Sequence, residues 1–168
     1  MRLTWVTLGA LALIAPGLLG QSSQHSHAND SLVTSIDRFL ADPMAQARLG
    51  RALMDTANAR ADVAISISFG IVPWLCHIQN APDERRALLS LLLGAYVVGN
   101  MRAQLVSGVA HDAPGAGAQA VVRVYQEVRQ HRPTFTEATV TQWVQMDSMH
   151  TLAAHADSLA ARADTTCR

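Results

Sequence analysis

The sequence has no lysine; all thirteen of its basic residues are arginine. Among 168 residues there are two cysteines, three tryptophans, two tyrosines and three phenylalanines. Charged residues make up 15%, and the formal net charge is zero. Without a broad basic field, neither nucleic acid nor an anionic lipid surface is expected as a partner. With aromatics at 5%, a stacking platform for bases is not expected either. The lysine deficit reads as genome composition rather than chemistry.

Catalytic signatures are missing as well. There is no Gly-x-Ser-x-Gly elbow, no Gly-rich phosphate loop and no His-Glu-x-x-His. A Cys-x-x-Cys-His motif is absent, which disfavours covalent c-type haem. The paired Glu-x-x-His of di-iron helical bundles is absent too. No resident cofactor is therefore expected. A site assembled from distant residues would leave no such signature.

What is present begins at the N-terminus. Met1-Arg2 carries a charge, Leu3 to Ala15 is apolar or small, and Pro16-Gly17 breaks the run before polar Gln21-Ser22-Ser23. This is the charged, apolar and small-residue order of a secretory signal peptide. The apolar run is shorter than the roughly 20 residues a bilayer span needs. Residues 1–22 are therefore expected to be a cleaved signal, with no stable membrane span left after removal. Small residues suit cleavage at Gly20-Gln21-Ser22 or at Ser26-His27-Ala28. The protein is expected to be exported, either periplasmic or secreted. The remaining chain, about 140–148 residues, suits one domain with a sizeable core.

Export changes how the cysteines read. Cys76 and Cys167 form an even pair, and an oxidising compartment makes them a disulfide candidate. Closing a loop of about 90 residues would stabilise the fold by roughly 4–5 kcal/mol in the chain-entropy model.

The pattern along the chain is mostly helical. Residues 23–30 are polar and read as a disordered leader, with a single helical domain over 31–168. A first helix is expected from Asp30 or Ser31 to Ala41, since Leu32, Ile36, Phe39 and Leu40 share one face. A second starts at Met44. In Val63 to Ile71 the period changes to alternation of large apolar and small residues, a strand pattern. No second strand of comparable quality exists, so a buried helix is the favoured alternative for 63–72. Pro82-Asp83-Glu84 opens a helix expected to reach Ala110, and Leu88 to Val98 is apolar nearly all round, as a central helix is. Gly94 and Gly99 would let a neighbouring helix approach closely. Two more helices are expected, from Ala118 to Gln130 and from Phe135 to Ala163. The second would start from a Thr134-x-x-Glu137 capping box. The fold class is all-α, a small four- to five-helix bundle.

Four constellations could carry chemistry. Met146, Met149 and His150, beside Asp147, would sit on one face of a continuous helix. Two thioethers and an imidazole suit copper(I), whereas core filling by methionine is the plainer role. His25 would stand third from a free amine after cleavage at Ser22, a square-planar site for copper(II) or nickel(II). Without that cleavage it belongs to a solvated leader. Cys76-His77 pairs a thiol with an imidazole, but adjacent helical residues point about 100° apart. Tyr96, Asn100 and Gln104 are spaced i, i+4, i+8 and share a face, a possible ligand-binding row; Arg102 points elsewhere. The plain reading of that row is a helix emerging into solvent.

The leading expectation is a non-catalytic binding or interaction module with a protein or small-molecule partner. A periplasmic copper-type metal-binding protein and an enzyme with a dispersed site are the alternatives.

Overall fold

In the computed structural model, which describes residues 19–162 and side chains from 27 onward, every regular element is an α-helix. Among the described residues these are α1 (Leu19–Ala41), α2 (Ala47–Ala59), α3 (Leu75–Ile78), α4 (Asp83–Ser107), α5 (Pro114–His131), α6 (Ala138–Ser148) and α7 (Leu152–Ala160). The all-α class stands. The count rises from the expected four or five to seven, because a single turn forms after Pro73 and the expected last helix divides in two.

The fold is organised around α4. Asp83 and Glu84 in its first turn oppose the helix dipole. Gly108, at φ 68°, ends it by accepting the left-handed conformation, and its N–H donates to Gln104 O at 2.9 Å. Between these ends Leu88, Leu89, Leu92 and Ala95 to Met101 are buried. By length and composition α4 could also cross a membrane, but most of its apolar stretch is covered by its own neighbours. That is the condition of a core helix.

Helix α5 crosses α4 with backbone nearly touching backbone. A Cβ on Gly99 would collide with the Cβ of Ala120 and lie 2.9 Å from Ala116 O; one on Gly117 would lie 2.8 Å from the Tyr96 ring. The expected close approach at Gly99 is therefore present. On the opposite side α2 packs on α4, with Met54 over Gly94. Arg102 points toward α1, where its Nε donates to Asp37 Oδ1 at 2.6 Å. Trp74, just before α3, meets Trp143 of α6 edge-on at 5.8 Å, and both are buried.

Three sequence expectations change. The polar stretch 23–30 lies within α1, which starts at Leu19 rather than near Ser31. Asn29 is held there by Arg60, whose Nη2 donates to Asn29 Oδ1 at 2.9 Å. The second change is at 63–72, which forms neither the favoured buried helix nor a paired strand. Residues 63–68 run as a strap outside any helix or strand, with turns following at 69–71. Val63 and Ile65 are half-buried while Ala64 and Ser66 are exposed, but the alternation ends there, since Ile67 is 46% exposed.

The third change is at the C-terminal helix. The chain turns at Met149 and His150, with His150 at φ 57°, and separates α6 from α7. The break lets Trp143 and Leu152 both reach the core from separate helices. The Thr134 capping box does not form either. Helix α6 begins at Ala138, and the Glu137 carboxylate instead accepts from Arg85 Nη2 at 3.0 Å.

Candidate functional site

Tyr96, Asn100 and Gln104 do share a face of α4, as their spacing implies. They do not emerge into solvent: all three are buried, with exposures of 0%, 0% and 3%. A buried polar group needs partners, and the chain itself supplies them. Gln104 Oε1 accepts from Ala64 N–H at 2.9 Å, and Gln104 Nε2 donates to Ala64 O at 2.7 Å. The side-chain amide thus replaces the neighbouring strand that the strap lacks. Two residues along, the Tyr96 hydroxyl donates to Ser66 O at 3.2 Å.

Asn100 joins this row to the loop before α5. Its Oδ1 accepts from Gln104 Nε2 at 2.8 Å and from Ala113 N–H at 3.0 Å, and its Nδ2 donates to Asp112 Oδ1 at 2.6 Å. Burial, and then the nearby Asp112 carboxylate, push the Tyr96 hydroxyl well above its usual value near 10; the Asn100 side-chain hydrogen bond works the other way. The row proposed from sequence for a ligand is brought together, with its polar atoms taken up by the strap and the loop. A ligand there would have to displace the strap.

The proposed metal residues are not brought onto one face. Met146 is half-buried against the core, whereas Met149 is 62% exposed and His150 is exposed beyond the end of α6. The helix break removes the shared face on which the copper(I) reading depended. His25 lies on α1, but its side chain is outside the described residues. Among the described residues no group of three or more His, Cys, Asp or Glu is placed to hold a metal ion. Cys76 and His77 sit side by side on α3, with Cys76 half-buried and His77 exposed. Cys167 lies outside the described residues.

An opening occurs further toward the N-terminal end of α4, where sequence patterning had marked only core. A pocket of about 340 Å³ lies between α2 and α4. That is at the small end of the range for small-molecule sites. Phe39 of α1 lies behind it, with Met54 and Leu91 on its walls. Gly50 and Gly94 both line it, and the space a Cβ would take is held by the Phe39 ring at Gly50 and by the Met54 sulfur at Gly94. Polar groups are confined to the rim: Arg51 of α2, and Asp83, Arg86 and Ser90 of α4. Arg86 Nη2 donates to Ala81 O at 2.9 Å and lies 3.3 Å from an Asp83 carboxylate oxygen. Arg51 makes no ion pair among the described residues. No sequence signal singles out this pocket: Gly94 reads as close helix contact, and Gly50 stands on an amphipathic helix beside Arg48 and Arg51.

A larger depression of about 630 Å³ lies between the start of α5 and α7. Half of its lining residues are alanine, and its carboxylates are already engaged. Asp112 accepts from Asn100, and Asp157 Oδ1 accepts from Gly115 N–H at 3.0 Å. The pocket between α2 and α4 is the better formed of the two. Comparison with protein-family models, with curated proteins and with solved structures finds no match.

Proposed function

We propose that this protein is exported and acts outside the cytoplasm as a non-catalytic binding module, with a small ligand seated between α2 and α4. The observation that carries the reading is the pocket itself, walled by Phe39, Met54 and Leu91, with the exposed Arg51, Asp83, Arg86 and Ser90 at its rim. Such a division between apolar body and few placed polar groups is typical of ligand sites. Export rests on the order of residues in 1–22, and in that setting Cys76 and Cys167 would close a disulfide.

A neutral apolar dye, Nile red, tests the pocket. One dye per chain is expected to bind the full chain and to be lost in Ser90→Trp, which sets an indole over the mouth. Ser90 is exposed, so the fold should be unaffected. Dye bound equally by the variant, or not bound at all, would refute the reading. Export is checked by the intact mass of secreted protein: a chain cut near residue 22 or 28, with cysteines that alkylate only after reduction.

A further inference from the structure

We infer that the occupant of the α2–α4 pocket is a small amphiphilic carboxylate, tail inward and head at the mouth. This rests on the pocket being a ligand site at all. The inner walls, Phe39, Met54 and Leu91, offer only apolar surface, so a polar group driven inward would lose its water and gain no partner. The polar end of any ligand must therefore stay at the rim.

The rim selects the sign of that end. Two guanidiniums stand there against one carboxylate. Arg51 has no ion-pair partner among the described residues. Arg86 is positioned by the Ala81 carbonyl, and its partner Asp83 has a side chain 96% exposed. An exposed pair of that kind is weak, so an incoming carboxylate can compete with Asp83 for Arg86. Guanidinium is charged at any working pH and presents its N–H groups in a planar fork that matches two carboxylate oxygens. A cationic head would meet repulsion from Arg51, and a neutral one would gain only ordinary hydrogen bonds.

Three ten-carbon probes separate the head from the pocket: decanoate, decanol and decyltrimethylammonium, each titrated calorimetrically into the full chain below its micelle concentration. Decanoate is expected to bind one per chain, about tenfold tighter than decanol, the scale of a charge-assisted hydrogen bond. The cation is expected to bind weakest. Arg51→Glu should erase the preference for decanoate, weakening decanoate far more than decanol; Arg51 is exposed, so the fold should hold. Ser90→Trp should abolish binding of both decanoate and decanol, and Ala87→Trp on the same rim should repeat that result. Equal affinity for decanoate and decanol, with both lost in Ser90→Trp, would overturn the anion inference while leaving the pocket as a binding site. Absence of binding by every probe, or binding that survives both tryptophan variants, would overturn the two together.

Discussion

Along α4, the stretch holding Tyr96, Asn100 and Gln104 is sealed by the chain's own backbone, whereas the stretch from Ala87 to Gly94 leaves an opening toward α2. The sealed stretch is the polar one and the open stretch is lined by apolar walls. That inverts the usual expectation that polar rows mark sites. A buried amide or hydroxyl left without a partner costs about 1–3 kcal/mol, so Tyr96, Asn100 and Gln104 dictate where the strap and the loop must run. Apolar surface makes no such demand. Here the polar row fixes where the strap and the loop run, and the opening lies among apolar walls where α2 meets α4.

The contrast is sharpest at the two glycines of α4. Gly99→Ala should be the most damaging change. Its Cβ would meet Ala120 and the Ala116 carbonyl, and backbone cannot move aside as a flexible side chain can. Overpacking of this kind costs about 3 kcal/mol, and thermal unfolding should show Tm lowered by roughly 10 °C. Gln104→Ala comes next, at about 2 kcal/mol for a multiply bonded buried amide. Amide exchange should localise the effect, with Ala64 N–H losing protection while α5 keeps its own. Uniform loss of protection would show that the strap and the core are not separable.

Tyr96→Phe tests the sealed stretch by pH. At neutral pH it should cost about 1 kcal/mol, one hydrogen bond. In the folded state the hydroxyl titrates above its usual value near 10, chiefly because it is buried. The unfolded chain therefore releases this proton first as pH rises. The contribution is complete below pH 10 and declines above it. Denaturant titrations between pH 9 and about 11 should show stability falling in the wild type and falling less steeply in Tyr96→Phe. An equal slope would remove Tyr96 from the account. The smallest effect is expected at Gly94→Ala. Its Cβ would meet the Met54 sulfur at 3.3 Å, which the flexible thioether can relieve. Alanine favours the helix by about 1 kcal/mol, so stability should change little while dye binding weakens.

Much of this was legible in the sequence. The apolar density of Leu88 to Val98 marked α4 as the central helix. Gly99 indicated a close neighbour, and the spacing of Tyr96, Asn100 and Gln104 placed them on one face. Their role was not legible, because the partners of Gln104 lie forty residues earlier on backbone atoms that no residue type announces. For 63–72 neither the favoured buried helix nor a strand forms; in 63–66 large and small residues alternate in burial, and the Gln104 side chain bonds Ala64 where a strand partner would stand. The break at Met149 carried no signal: His150 takes a left-handed conformation that glycine or asparagine adopts more readily. Phe39 lies in the core as its place on the apolar face of α1 implies, whereas hydrophobic periodicity does not record where two packed helices leave a gap beside it.

The edge-on contact between Trp74 and Trp143 has an optical consequence. The third tryptophan, Trp5, lies in residues 1–22, so a chain cleaved as proposed carries this pair alone. Two indoles with ring centres 5.8 Å apart and planes inclined at 72° should couple their electronic transitions and give a paired signal in ultraviolet circular dichroism. One partner precedes α3 and the other belongs to α6, so that signal would report whether the strap's far end is docked on the C-terminal helices. The mature protein would thus carry its own intrinsic gauge of assembly, readable without any label.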